Sequence, residues 1–184
     1  MSALDELIRL CPAPSTRHGR PGTSAGAGPG GPAELLPPGY TALLEVYGPG
    51  CFNDFFWIYE DGCPNPWLDI RARSRKTSEI LAGKQIPEIR STLTEFDSDP
   101  SRLIQWGVTD NADSVFWIPV GAPDEWPTII VEAGQLSFQL LQQPSPDIVL
   151  GLLDGTLRCP FFPPEFRSNG PVFERWVEEA DGSP

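Results

Sequence analysis

The sequence predicts an α+β domain: a curved, mainly antiparallel sheet of meander type with helices packed on one side. Three observations carry this prediction. Between residues 103 and 141, short β-prone runs are separated by turn residues and not by helices, which is how hairpins read. Apolar stripes of helical period flank that region, over 40–47 and 145–153. A chain of 184 residues, 40% of them hydrophobic, is long enough for one domain with a real core.

The elements follow in chain order. Residues 2–11 read as a short amphipathic helix, because Leu4, Leu7, Ile8 and Cys11 share one helical face. Ser2 and Asp5 form a capping box that uses the shorter acid, and Pro12 ends the helix. Residues 12–33 form a flexible linker. Over 12–32, five Pro and six Gly stand among residues with no large apolar side chain, so nothing offsets the entropy of ordering them. A single globular domain is expected over 34–184.

That domain opens with a helix placing Tyr40, Leu43, Leu44 and Tyr47 on one face. Gly48 ends it in the left-handed conformation. Residues 51–59 form one aromatic strand closed by the turn Glu60-Asp61-Gly62. Residues 68–84 are helical and carry Arg71, Arg73, Arg75 and Lys76, a basic cluster that reads as a solvated face. Strands at 103–108 and 114–119 enclose the turn 109–113. Strands at 128–132 and 135–141 enclose Ala133-Gly134, and in the last of these Leu136, Phe138 and Leu140 alternate with polar residues. Ser145 caps a short helix with Pro146 in its first position. Phe173, Trp176 and Val177 suggest a final helical turn or two.

Charge narrows the function classes. Lys and Arg number 13 against 25 Asp and Glu, a net charge of −12. The first 33 residues carry +1, so the domain carries −13. This balance argues against a nucleic-acid partner bound through its phosphates and against docking on an anionic membrane. One His makes His-based catalysis or a His-rich metal site unexpected. No apolar run approaches a membrane span, and Asp5 and Glu6 stand where a signal peptide has a basic region. Cys11, Cys51, Cys63 and Cys159 form no C-x-x-C pair and read as reduced, buried thiols of a cytoplasmic protein.

Two famous patterns occur in the linker and neither has its structural setting. Gly22-Thr23-Ser24-Ala25-Gly26 matches a nucleophile elbow but lacks the preceding strand and following helix, and His18 precedes Ser24. Gly26-Ala27-Gly28-Pro29-Gly30-Gly31 matches a dinucleotide fingerprint with the same defect. Asp110, Asn111 and Asp113 belong to no complete calcium loop. No catalytic residues, cofactor or metal are therefore expected.

Several segments together resemble the SUKH superfamily. Leu36-Pro37-Pro38-Gly39-Tyr40, then Leu43-Leu44-Glu45-Val46-Tyr47-Gly48, is similar to that family's opening helix. Gly50-Cys51-Phe52 resembles its first strand. Gln105-Trp106-Gly107 through Asp113, then Val115-Phe116-Trp117, resembles its central hairpin, and residues 145–155 its late helix. The resemblance spans roughly residues 35–162. It implies an α+β fold and a non-enzymatic role. Bacterial members look like immunity proteins that bind and neutralise a cognate toxin domain, often a nuclease. Eukaryotic relatives resemble regulators of cell-wall synthesis acting through protein contacts. The expected partner is a basic toxin protein, met through acidic loops: Asp54, Glu60, Asp61, Asp97, Asp99, Asp110, Asp113, Asp124 and Glu125. A regulatory interaction module without a toxin partner is the alternative. Trp57, Trp67 and Trp126 are either core residues or binding anchors.

Overall fold

The computed structural model describes residues 1–15, 36–84, 86–134, 136–167 and 170–178. Most of the linker, with His18 and both Gly-rich motifs, lies outside the described residues. Five helices and a seven-stranded sheet are seen among the described residues. The helices are α1 (Ala3–Leu10), α2 (Pro38–Tyr47), α3 (Ile70–Lys84), α4 (Pro87–Glu95) and α5 (Ser145–Asp154). The strands are β1 (Gly50–Phe52), β2 (Phe56–Ile58), β3 (Ile104–Thr109), β4 (Ser114–Trp117), β5 (Thr128–Val131), β6 (Phe138–Leu141) and β7 (Phe173–Arg175). Their order is β6-β5-β4-β3-β2-β1-β7, antiparallel at every contact. The predicted α+β class and antiparallel meander are present.

The helices lie against both faces of the sheet, where the sequence reading put them on one. On the first face, Val115 and Trp117 of β4, Ile130 of β5 and Leu141 of β6 share a core with Leu7 of α1, Tyr40 and Leu43 of α2, and Ile148 and Leu152 of α5. The intervening residues Phe116, Ile118, Ile129 and Val131 point the other way and pack with Leu81 of α3 and Ile89 and Leu93 of α4. Strands whose successive residues are all apolar need covering on both faces, and α3 and α4 supply the second cover. The segment 87–95 had no place in the sequence reading.

Helix α1 has the predicted capping box: Ser2 Oγ accepts from Asp5 N–H, and the Asp5 carboxylate accepts from Ser2 N–H. It docks on the core through Leu7 and Cys11, and Tyr47 donates its hydroxyl to Cys11 O at 2.6 Å. Helix α2 buries the four predicted residues. It ends at Gly48 with φ 73° and ψ −178°, a region open to glycine alone but not the left-handed helical one expected.

Four further local readings are corrected. Residues 51–59 are a hairpin and not one strand. The chain reverses at Asn53 and Asp54, both at φ 51°, which these two residue types tolerate. Ser145 does not cap α5, because its hydroxyl accepts from Trp117 Nε1 at 2.9 Å, and the N-cap position is Pro144. Leu136 is 89% exposed and lies outside β6. The predicted last helical turn is strand β7, paired with β1 from Phe52↔Phe173 to Gly50↔Arg175.

A register shift between Gln105 and Gly107 leaves Trp106 without a partner on β4. The bulge turns Trp106 into the first core, where it stacks on Trp117 at 5.6 Å and meets Tyr40 edge-on at 5.4 Å. Gly107 follows because nothing larger fits there: a Cβ would stand 2.7 Å from Trp57 O and 2.9 Å from Phe56 Cε2.

All four cysteines are buried and unpaired. Burial pushes the Cys11 and Cys159 thiols up to about 11 and Cys51 up to about 12. At pH 8 a thiol of pKa 11 is about one part in a thousand thiolate, the reactive form. A disulfide-exchange reagent at pH 8 is therefore expected to label the native protein very slowly and all four thiols at once in guanidinium. Fast labelling of the native protein contradicts this burial.

Candidate functional site

The second face of the sheet is covered only in part. Helix α3 crosses the first half of β3, where Ser74 and Thr77 bond to Gln105, and joins α4 over β4–β5; beside α3 the sheet stays open over β2 and the Val108 end of β3. There the chain forms a groove of about 360 Å³. Its floor is Trp57, Tyr59 and Val108, which share one side of the paired strands. Trp67, Leu68 and Arg73 form one wall, and Trp176, just past β7, the other.

Local sequence explains how each wall is held. The loop carrying Trp67 is pinched at its base by Glu60 N–H to Leu68 O at 2.9 Å and Ile70 N–H to Glu60 O at 3.1 Å. The Asp69 carboxylate accepts from Gly62 N–H and from Ala72 N–H in the first turn of α3. Pro64 and Pro66 restrict the loop further, and Asn65 Oδ1 accepts from Trp67 N–H. Trp67 is thus presented on a constrained loop yet is 64% exposed. Arg73 and Lys76 of α3 lie 5.3 and 5.4 Å from its ring centroid, within cation–π range. Trp176 is placed by its N–H to Pro49 O, which continues the β1–β7 pairing.

Trp57 is oriented by a polar contact, its Nε1 donating to Asp110 Oδ1 at 2.9 Å. Burial pushes the Tyr59 phenol up to about 12, while Arg73 beside it acts in the opposite direction. Arg73 Nε is buried without a hydrogen-bond partner among the described residues. Beyond Trp57, three carboxylates approach Cys51. Burial is the main cause of its raised thiol pKa, and Asp110, Asp54 and Glu174 add to it. The groove therefore has an aromatic floor, cations on the α3 wall and an acidic rim at the β1–β2 and β3–β4 turns.

The nine acids singled out in the sequence fall at two ends of the sheet. Asp54, Asp110 and Asp113 belong to the turns after β1 and β3. Glu60 and Asp61 follow β2, Asp97 and Asp99 precede β3, and Asp124 and Glu125 lie between β4 and β5, all at the opposite ends of their strands. Several have structural duties. Asp113 is buried: it accepts from Thr109 Oγ1 at 2.6 Å and from Ala133 N–H at 3.0 Å, tying the two hairpin turns together. Glu60 is buried at the loop base. Asp61 forms a two-pronged pair with Arg71, and Asp99 caps the turn at Ser101. Asp54, Asp97, Asp124 and Glu125 are exposed.

Of the three tryptophans left open by the sequence, Trp126 is core, Trp57 is half-buried and Trp67 is displayed. Sequence reasoning missed Trp176 and Glu174, because Glu174 lies on, and Trp176 just past, a strand read as a helix. The basic cluster is solvated at Arg75, while Arg73 and Lys76 serve the groove wall.

Among the described residues, no group of three or more His, Cys, Asp or Glu is arranged to hold a metal ion, and no helix is long and apolar enough to cross a membrane. No family model, curated protein or solved structure matches the chain.

Proposed function

We propose that this chain is a cytoplasmic immunity protein of the SUKH type, which binds a cognate toxin domain such as a nuclease and neutralises it by protein contact and not by catalysis. The groove is its contact face. The observation that carries this reading is the displayed Trp67 beside half-buried Trp57 and Trp176. Interfaces draw most of their affinity from a few aromatic anchors set in partly desolvated surroundings. The carboxylates of Asp54, Asp110 and Glu174 at the rim favour a basic partner, and the net charge of −12 steers one in. The toxin assignment itself rests on the family resemblance of the sequence.

The test is co-expression with the toxin domain encoded beside this gene, followed by titration of the purified pair at rising salt. Rescue of growth, with an association rate that falls as salt screens the charges, is the expected result. An association rate indifferent to salt removes the steering. Absence of binding removes the toxin pairing and favours a regulatory module.

A further inference from the structure

The two edges of the sheet are unlike. At β7 the edge carries Glu174 and Arg175, and Arg175 donates to Tyr47 O and Val46 O. At β6 the edge carries Phe138, Gln139, Leu140 and Leu141, and no charged residue stands anywhere from 133 to 146. Natural proteins usually guard such an edge with charge, proline or a bulge. The ladder shows which groups face outward. Glu132 N–H donates to Ser137 O, which makes 132/137 a hydrogen-bonded pair of the β5–β6 hairpin. Bonded pairs alternate, so Gln139 and Leu141 turn their peptide groups toward β5. The N–H and C=O of Phe138 and Leu140 then point away from the sheet.

A second feature lies between them. Gln139 Nε2 donates to Arg158 O at 3.0 Å, while its Oε1 is buried with no partner among the described residues. An amide so placed keeps one N–H to give and one oxygen to fill.

We propose that β6 pairs with β6 of a second copy of this chain, antiparallel about a two-fold axis at Gln139. In this register Phe138 faces the partner's Leu140 and Leu140 the partner's Phe138. Four outward peptide groups on each side then form four N–H···O bonds. The two Gln139 residues meet at the axis as a non-bonded pair, where side chains approach most closely. With a small turn of each amide, each donates its spare N–H to the other's oxygen. The occupant is a second copy because the edge is self-complementary: a two-fold axis makes the same patch serve both sides, and uncharged residues spare it local repulsion. The two chains still repel through their net charges, so salt favours the pairing. This dependence is opposite in sign to that expected for a basic partner.

The test uses no other protein: sedimentation equilibrium of the full chain, from micromolar to millimolar, at low and high salt. The mass rises from 20.2 kDa toward twice that value, further at high salt. Leu140→Pro removes an outward N–H, a substitution that edge strands tolerate at such positions. It leaves the protein at 20.2 kDa. Hydrogen exchange of the wild type shows the Phe138 and Leu140 amides slowing as concentration rises, a readout independent of any variant. A mass fixed at 20.2 kDa throughout overturns the proposal. So does a dimer whose Phe138 and Leu140 amides exchange at the monomer's rate.

Discussion

Tyr40→Phe is expected to lower the free energy of unfolding by about 2–3 kcal/mol, a large part of a typical domain's stability. Tyr40 is fully buried, and its hydroxyl lies 2.6 Å from Tyr59 O and 3.0 Å from Trp106 O while accepting from Tyr59 N–H at 3.1 Å. One oxygen thus joins α2 to the end of β2 and to the bulge of β3. Phe keeps the ring, and with it the edge-on contacts to Trp106 and Trp117. The loss isolates the hydroxyl, whose removal leaves the buried Tyr59 O without that donor, while Tyr59 N–H and Trp106 O keep their own bond at 3.0 Å. Urea unfolding measures it as a midpoint lower by roughly 1 M or more at unchanged slope. A shift below about 0.5 kcal/mol would show that the neighbouring backbone finds other partners.

Trp67→Ala is expected to weaken partner binding about 30-fold while leaving the unfolding midpoint where it is. Truncating an aromatic anchor at the centre of an interface costs about 2 kcal/mol, and 1.4 kcal/mol is a tenfold change. The side chain is 64% exposed, so the fold loses only the contacts of Arg73 and Lys76 with its ring. Calorimetric titration of the toxin domain, with thermal melting of the same samples, separates the two effects. Equal affinity of variant and wild type would move the contact face away from the groove.

The meander was legible because its signals are local. The turn at 109–113 and the apolar runs on either side specify a hairpin without help from the rest of the chain. So do the four helical-face residues of α2. Strand β7 was not legible for a physical reason. Phe173, Trp176 and Val177 have helical spacing, but the open edge of β1 lies more than a hundred residues earlier and imposes a period of two. Tertiary pairing overrode a weak local preference. The second helical layer was legible only in part: residues 68–84 are expected as a helix, but 87–95 are not, and all helices are placed on one side, whereas Phe116, Ile118, Ile129 and Val131 need a cover on the other. Their burial on the other face had no covering element in the sequence reading.

Charge pointed to a basic protein partner, and loop acids were the natural choice of contacts. Asp113 and Glu60 are instead buried within the fold. The groove takes its tryptophans from a hairpin, a Pro-bounded loop and the last strand, which no local pattern connects.

The position of β7 has a consequence for synthesis. Strands β1 to β6 can pair in the order in which they leave the ribosome, each beside the one before. β1 keeps a vacant side until residues 173–175 emerge, and Trp176 follows them. The groove is therefore completed only after Trp176 has emerged. A nascent chain can have most of its sheet in place and still be unable to engage a partner through all three tryptophans.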